Sequence, residues 1–67
     1  MNSKENVYFV AYIEKMSKNF GNFIMTSDID ARVSSAIDID TMKNNFTKEI
    51  EQAIGYDITI VNLSQLK

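Results

Sequence analysis

The fold is decided by one apolar run near the start of the chain, Val7-Tyr8-Phe9-Val10-Ala11-Tyr12-Ile13. Successive side chains of a β-strand point to opposite faces of the sheet, so a strand with one solvated face alternates apolar with polar residues. This run does not alternate, which predicts a central strand that needs cover on both faces. The rest of the chain offers one amphipathic helix, and a single helix covers a single face. We therefore expect an apolar sheet face that is left for a partner.

The segments around this run predict a small domain. The first strand is expected over residues 6–15, and a loop containing Gly21, which is free to take a positive φ, leads to a second strand over 22–29. A helix is predicted over 39–54, because apolar residues recur there at spacings of three and four: Ile39, Met42, Phe46, Ile50, Ala53 and Ile54. A third strand, rich in β-branched residues, is expected over 57–63.

The ends of the helix carry recognisable signals. Asp38 is the predicted N-cap, with Ile37 and Met42 forming a hydrophobic staple around it. Gly55 is the predicted left-handed residue that ends the helix. The stretch 28–37 is open to two interpretations, an extension of the second strand or a short helical turn.

These elements define one α+β domain over residues 1–67, a small β-β-α-β unit. The hairpin makes the first two strands antiparallel, and the helix returns the chain so that the third strand runs parallel to the second. The most apolar strand belongs in the middle. We therefore predict a three-stranded sheet of order 2-1-3 with one helix packed on one face.

The composition excludes several classes of function. The 67 residues contain neither cysteine nor histidine, which removes disulfides, thiolate metal sites and the commonest general base. We therefore expect no enzyme, no cofactor and no small-molecule substrate. The net charge is −2 and Arg32 is the one arginine, whereas nucleic-acid binders carry a basic face. No segment is long enough to span a bilayer, and we expect a cytoplasmic protein.

Two side-chain groups are candidates for ligand binding. Asp28 and Asp30 share one parity of an extended chain and could hold a hard cation, but the chain after Asp30 supplies no further ligand of an EF-hand loop; solvated turn acids are the favoured interpretation. Tyr8 and Tyr12, with Lys15 and Lys18, could stack the bases of a single-stranded nucleic acid. This second pattern predicts a small nucleic-acid-associated regulator as the alternative function.

The favoured prediction is a non-catalytic protein-interaction module. Small domains often rely on oligomerisation when disulfides and metals are absent, so we expect a homodimer or a complex with another protein. The predicted contact residues are Tyr8, Val10 and Tyr12, because they share one parity of the first strand and buried aromatic residues dominate interfaces.

The chain resembles a loose group of small uncharacterised proteins from bacteriophages and their low-GC bacterial hosts. The resemblance is carried by Tyr8-Phe9-Val10-Ala11-Tyr12, by Phe20-Gly21-Asn22, by the helix and by Ile58-Thr59-Ile60-Val61-Asn62-Leu63. The chain departs from the group at Ala11, where serine is usual, and in the longer stretch 28–37. The resemblance implies a phage or prophage protein that binds a host protein to inhibit or modulate it, and it implies no role for any single residue.

Overall fold

Three strands and one helix make up the computed structural model, which describes residues 5–67. In chain order they are β1 (Asn6–Glu14), β2 (Phe20–Ser27), α1 (Ala36–Ile54) and β3 (Ile58–Gln65). The sheet order is β2-β1-β3, and β1 is antiparallel to both neighbours. The predicted α+β class, element order and strand order are confirmed. Residues 1–4, which the sequence prediction included in the domain, lie outside the described residues.

β1 is the central strand, and its apolar run pairs with β2 along one edge and with β3 along the other. Its ladder with β2 runs without a break from Asn6 opposite Ser27 to Ile13 opposite Phe20. Its ladder with β3 contains a register shift at Ala11 and Tyr12, which is a β-bulge in the edge strand. The two edges of the sheet therefore differ, since β2 is regular and β3 is interrupted.

The hairpin between β1 and β2 turns earlier than the sequence predicts. Lys18, with φ of 64°, takes the left-handed conformation that was expected of Gly21, and its N–H donates to the carbonyl of Glu14 at 2.9 Å. β2 consequently starts at Phe20 and ends at Ser27 rather than spanning 22–29. Gly21 lies inside the strand, where the phenol ring of Tyr12 occupies the place that a β-carbon would take.

The connection from β2 to α1 is a loop, so the strand extension considered for residues 28–37 is wrong. The loop contains a hydrogen-bonded turn, in which Val33 donates its N–H to the carbonyl of Asp30 at 3.1 Å. The hydroxyl of Ser34 donates to the same carbonyl at 2.7 Å. These bonds satisfy backbone groups that a strand would have directed to a neighbouring strand.

The helix begins three residues before its predicted start. Ser35 is the N-cap, and its hydroxyl accepts the N–H of Asp38 at 3.2 Å. The predicted cap at Asp38 is therefore wrong, and Asp38 lies in the first turn, where its charge suits the helix dipole. The predicted C-terminal glycine is confirmed, because Gly55 has φ of 81° and donates its N–H to the carbonyl of Glu51.

The core lies between the sheet and one face of α1. Its buried members are Tyr8, Val10, Tyr12, Met42, Phe46, Ile50 and Ile58. β1 and β3 contribute fully buried side chains, whereas Phe23 and Met25 of β2 are only half-buried at its margin. The helix thus covers β1 most closely and leaves half-buried side chains at both margins of the same face, Phe23 and Met25 of β2 and Ile60 and Leu63 of β3.

Candidate protein-interaction surface

The three predicted contact residues lie in the core. Tyr8 and Val10 have no exposed surface and Tyr12 is 7 % exposed, because their shared parity is the one that meets α1. The tilted ring of Phe46 packs on Tyr8 with ring centroids 5.7 Å apart. The prediction that these three side chains form the uncovered surface is therefore corrected, and base stacking on Tyr8 and Tyr12 loses its geometric basis.

The hydroxyl of Tyr8 has a structural role that the sequence did not reveal. It accepts the N–H of Ala31 at 3.0 Å and donates to the carbonyl of Ile29. Asn6, also buried, donates its side-chain amide to the carbonyls of Ser27 and Asp28. Two polar side chains of β1 therefore hold the loop that follows β2 against the end of the sheet.

The opposite parity of β1 forms the uncovered side of the sheet, which we call the open face. Register and alternation place these side chains on it: Val7, Phe9, Ala11 and Ile13 of β1, Phe20, Asn22, Ile24 and Thr26 of β2, Thr59, Asn62 and Ser64 of β3, and Leu66 just beyond β3. None of these side chains is charged. The described residues span only 17 Å in their shortest dimension, which is room for the sheet and one helix layer.

Large apolar side chains remain exposed on the open face. Phe20 is 76 % exposed, Ile24 59 % and Leu66 54 %, and they surround the half-buried side chains of the central strand. Polar but uncharged side chains, such as Thr26 and Ser64, stand at its margins. Asn22 and Asn62 flank Ala11 in the middle of the face, so the face is an uncharged mixture of exposed apolar and polar side chains. Depletion of charge is typical of the core of a protein–protein interface.

A second feature borders the open face, the free edge of β2. In an antiparallel ladder each residue directs its N–H and C=O to the same side, and successive residues alternate sides. Glu14 donates to the carbonyl of Asn19, whereas Val7 donates towards the β3 side. It follows that Phe20, Asn22, Ile24 and Thr26 direct their backbone groups away from β1, and we call these groups the β2 edge.

The predicted cation pair is not assembled. Both carboxylate oxygens of Asp30 accept hydrogen bonds from the side chain of Arg32, at 2.9–3.0 Å. The Arg32 guanidinium, followed by the Arg32 backbone N–H, holds the pKa of the Asp30 carboxyl well below its usual range. Among residues 5–67, no three histidine, cysteine or acidic side chains lie close enough to share a metal ion. Asp30 acts as a loop staple instead.

Depressions on the helix side include one of about 340 Å³ between α1 and β3, lined by Ile39, Lys43, Ile60, Val61, Asn62 and Leu63. A shallow cavity of about 350 Å³ lies at the hairpin end, lined by Glu14, Met16, Ser17, Asn19, Tyr56 and Asp57. A groove of about 220 Å³ separates β2 from α1 and is lined by Phe23, Met25, Glu49, Ile50 and Ala53. The groove adjoins the β2 edge, so an unpaired backbone and unfilled apolar space occur together.

Comparison with known proteins identifies no relative, since no family model, no curated protein and no solved structure matches the chain. Within residues 5–67, no helix has both the length and the apolar character needed to cross a membrane.

Proposed function

We propose that this protein is a non-catalytic protein-interaction module and that it binds another protein through the open face. The observation that carries the proposal is the set of exposed Phe20, Ile24 and Leu66 on one uncharged sheet face that α1 does not cover. Exposed apolar patches rimmed by polar residues mark interaction sites in soluble domains. The partner is accordingly a protein that offers an apolar surface of its own.

Chemistry also supports a binding role. The chain has no histidine or cysteine to serve as base or nucleophile, and the one strongly perturbed carboxyl, that of Asp30, is engaged by Arg32 in a turn. The resemblance to phage proteins supports a bacterial host protein as the partner, which this module would inhibit or modulate. No observation favours the nucleic-acid alternative once Tyr8 and Tyr12 are in the core.

The experiment compares matched charge substitutions on and off the open face. Leu66→Asp places a carboxylate on the face, whereas Val33→Asp places one on an apolar residue of the loop after β2 that is more exposed still, 83 % against 54 %. Both should fold, because both side chains are solvated in the free chain. A candidate partner is retained by immobilised wild-type protein, and its affinity for each variant is then measured by calorimetry.

We expect Leu66→Asp to weaken binding by about 30-fold or more, as loss of an apolar anchor of an interface does. Val33→Asp should bind within about twofold of the wild type. Equal affinity of Leu66→Asp and wild type would overturn the proposal, because the partner would then bind elsewhere.

A further inference from the structure

We propose that β2 pairs antiparallel with β2 of a second copy of this chain, across a two-fold axis at Phe23. The product is a continuous six-stranded sheet of order β3-β1-β2-β2-β1-β3, with both helices on one side. This inference concerns the β2 edge and the groove beside α1. It goes beyond the proposed function, because the open face of each copy stays free.

The β2 edge lacks the features that keep edge strands from pairing. Natural edge strands are protected by charged side chains, prolines, bulges or shortness. β2 has eight residues, Phe-Gly-Asn-Phe-Ile-Met-Thr-Ser, with no charge and no proline, and its ladder with β1 is unbroken. β3 is also uncharged, but its bulge interrupts the other edge. The regular edge is therefore the one available for strand addition.

The sequence of β2 is self-complementary in one register. Pairing about Phe23 sets Phe20 opposite the partner's Thr26 and Asn22 opposite the partner's Ile24. The four residues of each copy whose backbone groups point away from β1 then all pair with the partner. The interface contains four such pairs, and each pair makes two hydrogen bonds. Centring the axis on Asn22 or Ile24 leaves one outward residue of each copy unpaired. No charge opposes a like charge in this register.

The helix-side groove supports a second copy as the occupant. In the same register Phe23 faces the partner's Phe23 as a close, non-hydrogen-bonded pair, with Cα atoms about 4.5 Å apart. Met25 lies opposite the partner's Gly21, which has no side chain of its own and is covered by the ring of Tyr12, so Met25 would pack on that ring. In the dimer, the half-buried Phe23 and Met25 side chains of the two copies would pack against each other and fill the groove between β2 and α1 in each copy.

The helices leave room for this arrangement. Three strand spacings separate the two β1 strands, about 14 Å at 4.8 Å each. α1 lies over β1 and towards β3, as the buried Ile58 shows, so the helix axes are at least that far apart. The axes of two helices in direct contact lie about 8–10 Å apart. The wider separation leaves space between the two helices, which the Phe23 and Met25 side chains would fill.

The first test is the mass of the protein in solution. Light scattering at chain concentrations up to about 1 mM should show a rise from 7.7 kDa towards twice that value. Asn22→Pro removes a backbone N–H that points away from β1, together with an exposed side chain, so the ladder with β1 should survive and the mass should stay at 7.7 kDa. Leu66→Asp should dimerise like the wild type, because it alters the open face alone. A monomeric wild type, or a dimer that Leu66→Asp dissociates, would overturn the proposal.

The second test determines the register. The chain has no cysteine, so single cysteines report on the pairing without background. Phe23→Cys should form a covalent dimer under mild oxidation, since facing residues of a non-hydrogen-bonded pair meet the distance that a disulfide needs. Asn22→Cys and Ile24→Cys should cross-link far less. A covalent dimer of either of these two variants in preference to Phe23→Cys would overturn the two-fold axis at Phe23.

Discussion

The phenol ring of Tyr12 lies directly against the backbone of Gly21, its cross-strand neighbour in the β1–β2 ladder. A β-carbon at Gly21 would overlap the ring, and the same ring stacks on Phe23 with centroids 5.9 Å apart. Glycine in a strand often marks such a close approach. The contact helps to hold the Tyr12 ring on the helix side of the sheet.

Gly21→Ala should destabilise the fold by about 1–3 kcal/mol, because the added methyl displaces the Tyr12 ring. In a Tyr12→Leu background the same substitution should cost much less, and a double-mutant cycle measured by urea unfolding gives the coupling. Gly55→Ala is the control. It costs about 1 kcal/mol through its left-handed φ and should be additive with Tyr12→Leu. If the costs of Gly21→Ala and Tyr12→Leu were simply additive, the result would contradict a direct contact between Gly21 and the Tyr12 ring.

Tyr8→Phe should cost about 1–3 kcal/mol, because the Ala31 N–H and the Ile29 carbonyl lose their shared partner. Amide hydrogen exchange should rise first in the loop between β2 and α1, which the hydroxyl holds in place. Tyr56→Phe, at an exposed tyrosine, should leave stability unchanged. Similar stability of both variants would argue against a structural role of the Tyr8 hydroxyl.

Ser35→Ala should lower helix and protein stability by about 1 kcal/mol, since the Asp38 N–H loses its capping acceptor. Asp38→Asn should cost less, because Asp38 contributes only through its charge in the first turn. Thermal unfolding followed by circular dichroism measures both. Because Asn caps helices as well as Asp does, Asp38→Ala tests the assignment: a larger cost for Asp38→Ala than for Ser35→Ala would restore Asp38 as the cap.

Acid should weaken the loop staple between Asp30 and Arg32. The pKa of Asp30 is lowered in the folded chain, chiefly by hydrogen bonds from Arg32. The ionised carboxylate therefore stabilises the folded chain at pH values above the ordinary aspartate pKa of about 3.9. It is lost as the pH falls through the lower folded value. Carboxyl NMR titration of Arg32→Gln should show the Asp30 pKa rising towards its ordinary range. Asp28→Asn, in the same loop, should leave the Asp30 titration as it is in the wild type.

Residue patterns alone were sufficient to predict the element order, the central position of β1 and the glycine that ends α1. Each is a local or periodic property: a run without alternation, a stripe at helical spacing, a glycine after the last apolar residue. Strand order followed from hydrophobicity, because the most apolar strand gains most from two neighbours.

The orientation of β1 could not be read from β1 itself, since both parities of Val7–Ile13 are apolar. β2 does not decide the orientation either, since Phe20 and Ile24 lie on one parity and Phe23 and Met25 on the other. The turn is misjudged because Lys18, a residue with a β-carbon, adopts the left-handed conformation expected of Gly21. Aromatic character alone favours Tyr8, Val10 and Tyr12 as contact residues, whereas their burial places that parity under α1.

The central claim is that the open face has no cover in the single chain. Paramagnetic relaxation of isoleucine methyl groups by a soluble probe measures this directly in dilute protein. The Ile24 methyls should relax several-fold faster than those of Ile50, which is buried under the helix. Equal protection of Ile24 and Ile50 in a monomeric sample would contradict the account, because both sides of the sheet would then be sealed within one molecule.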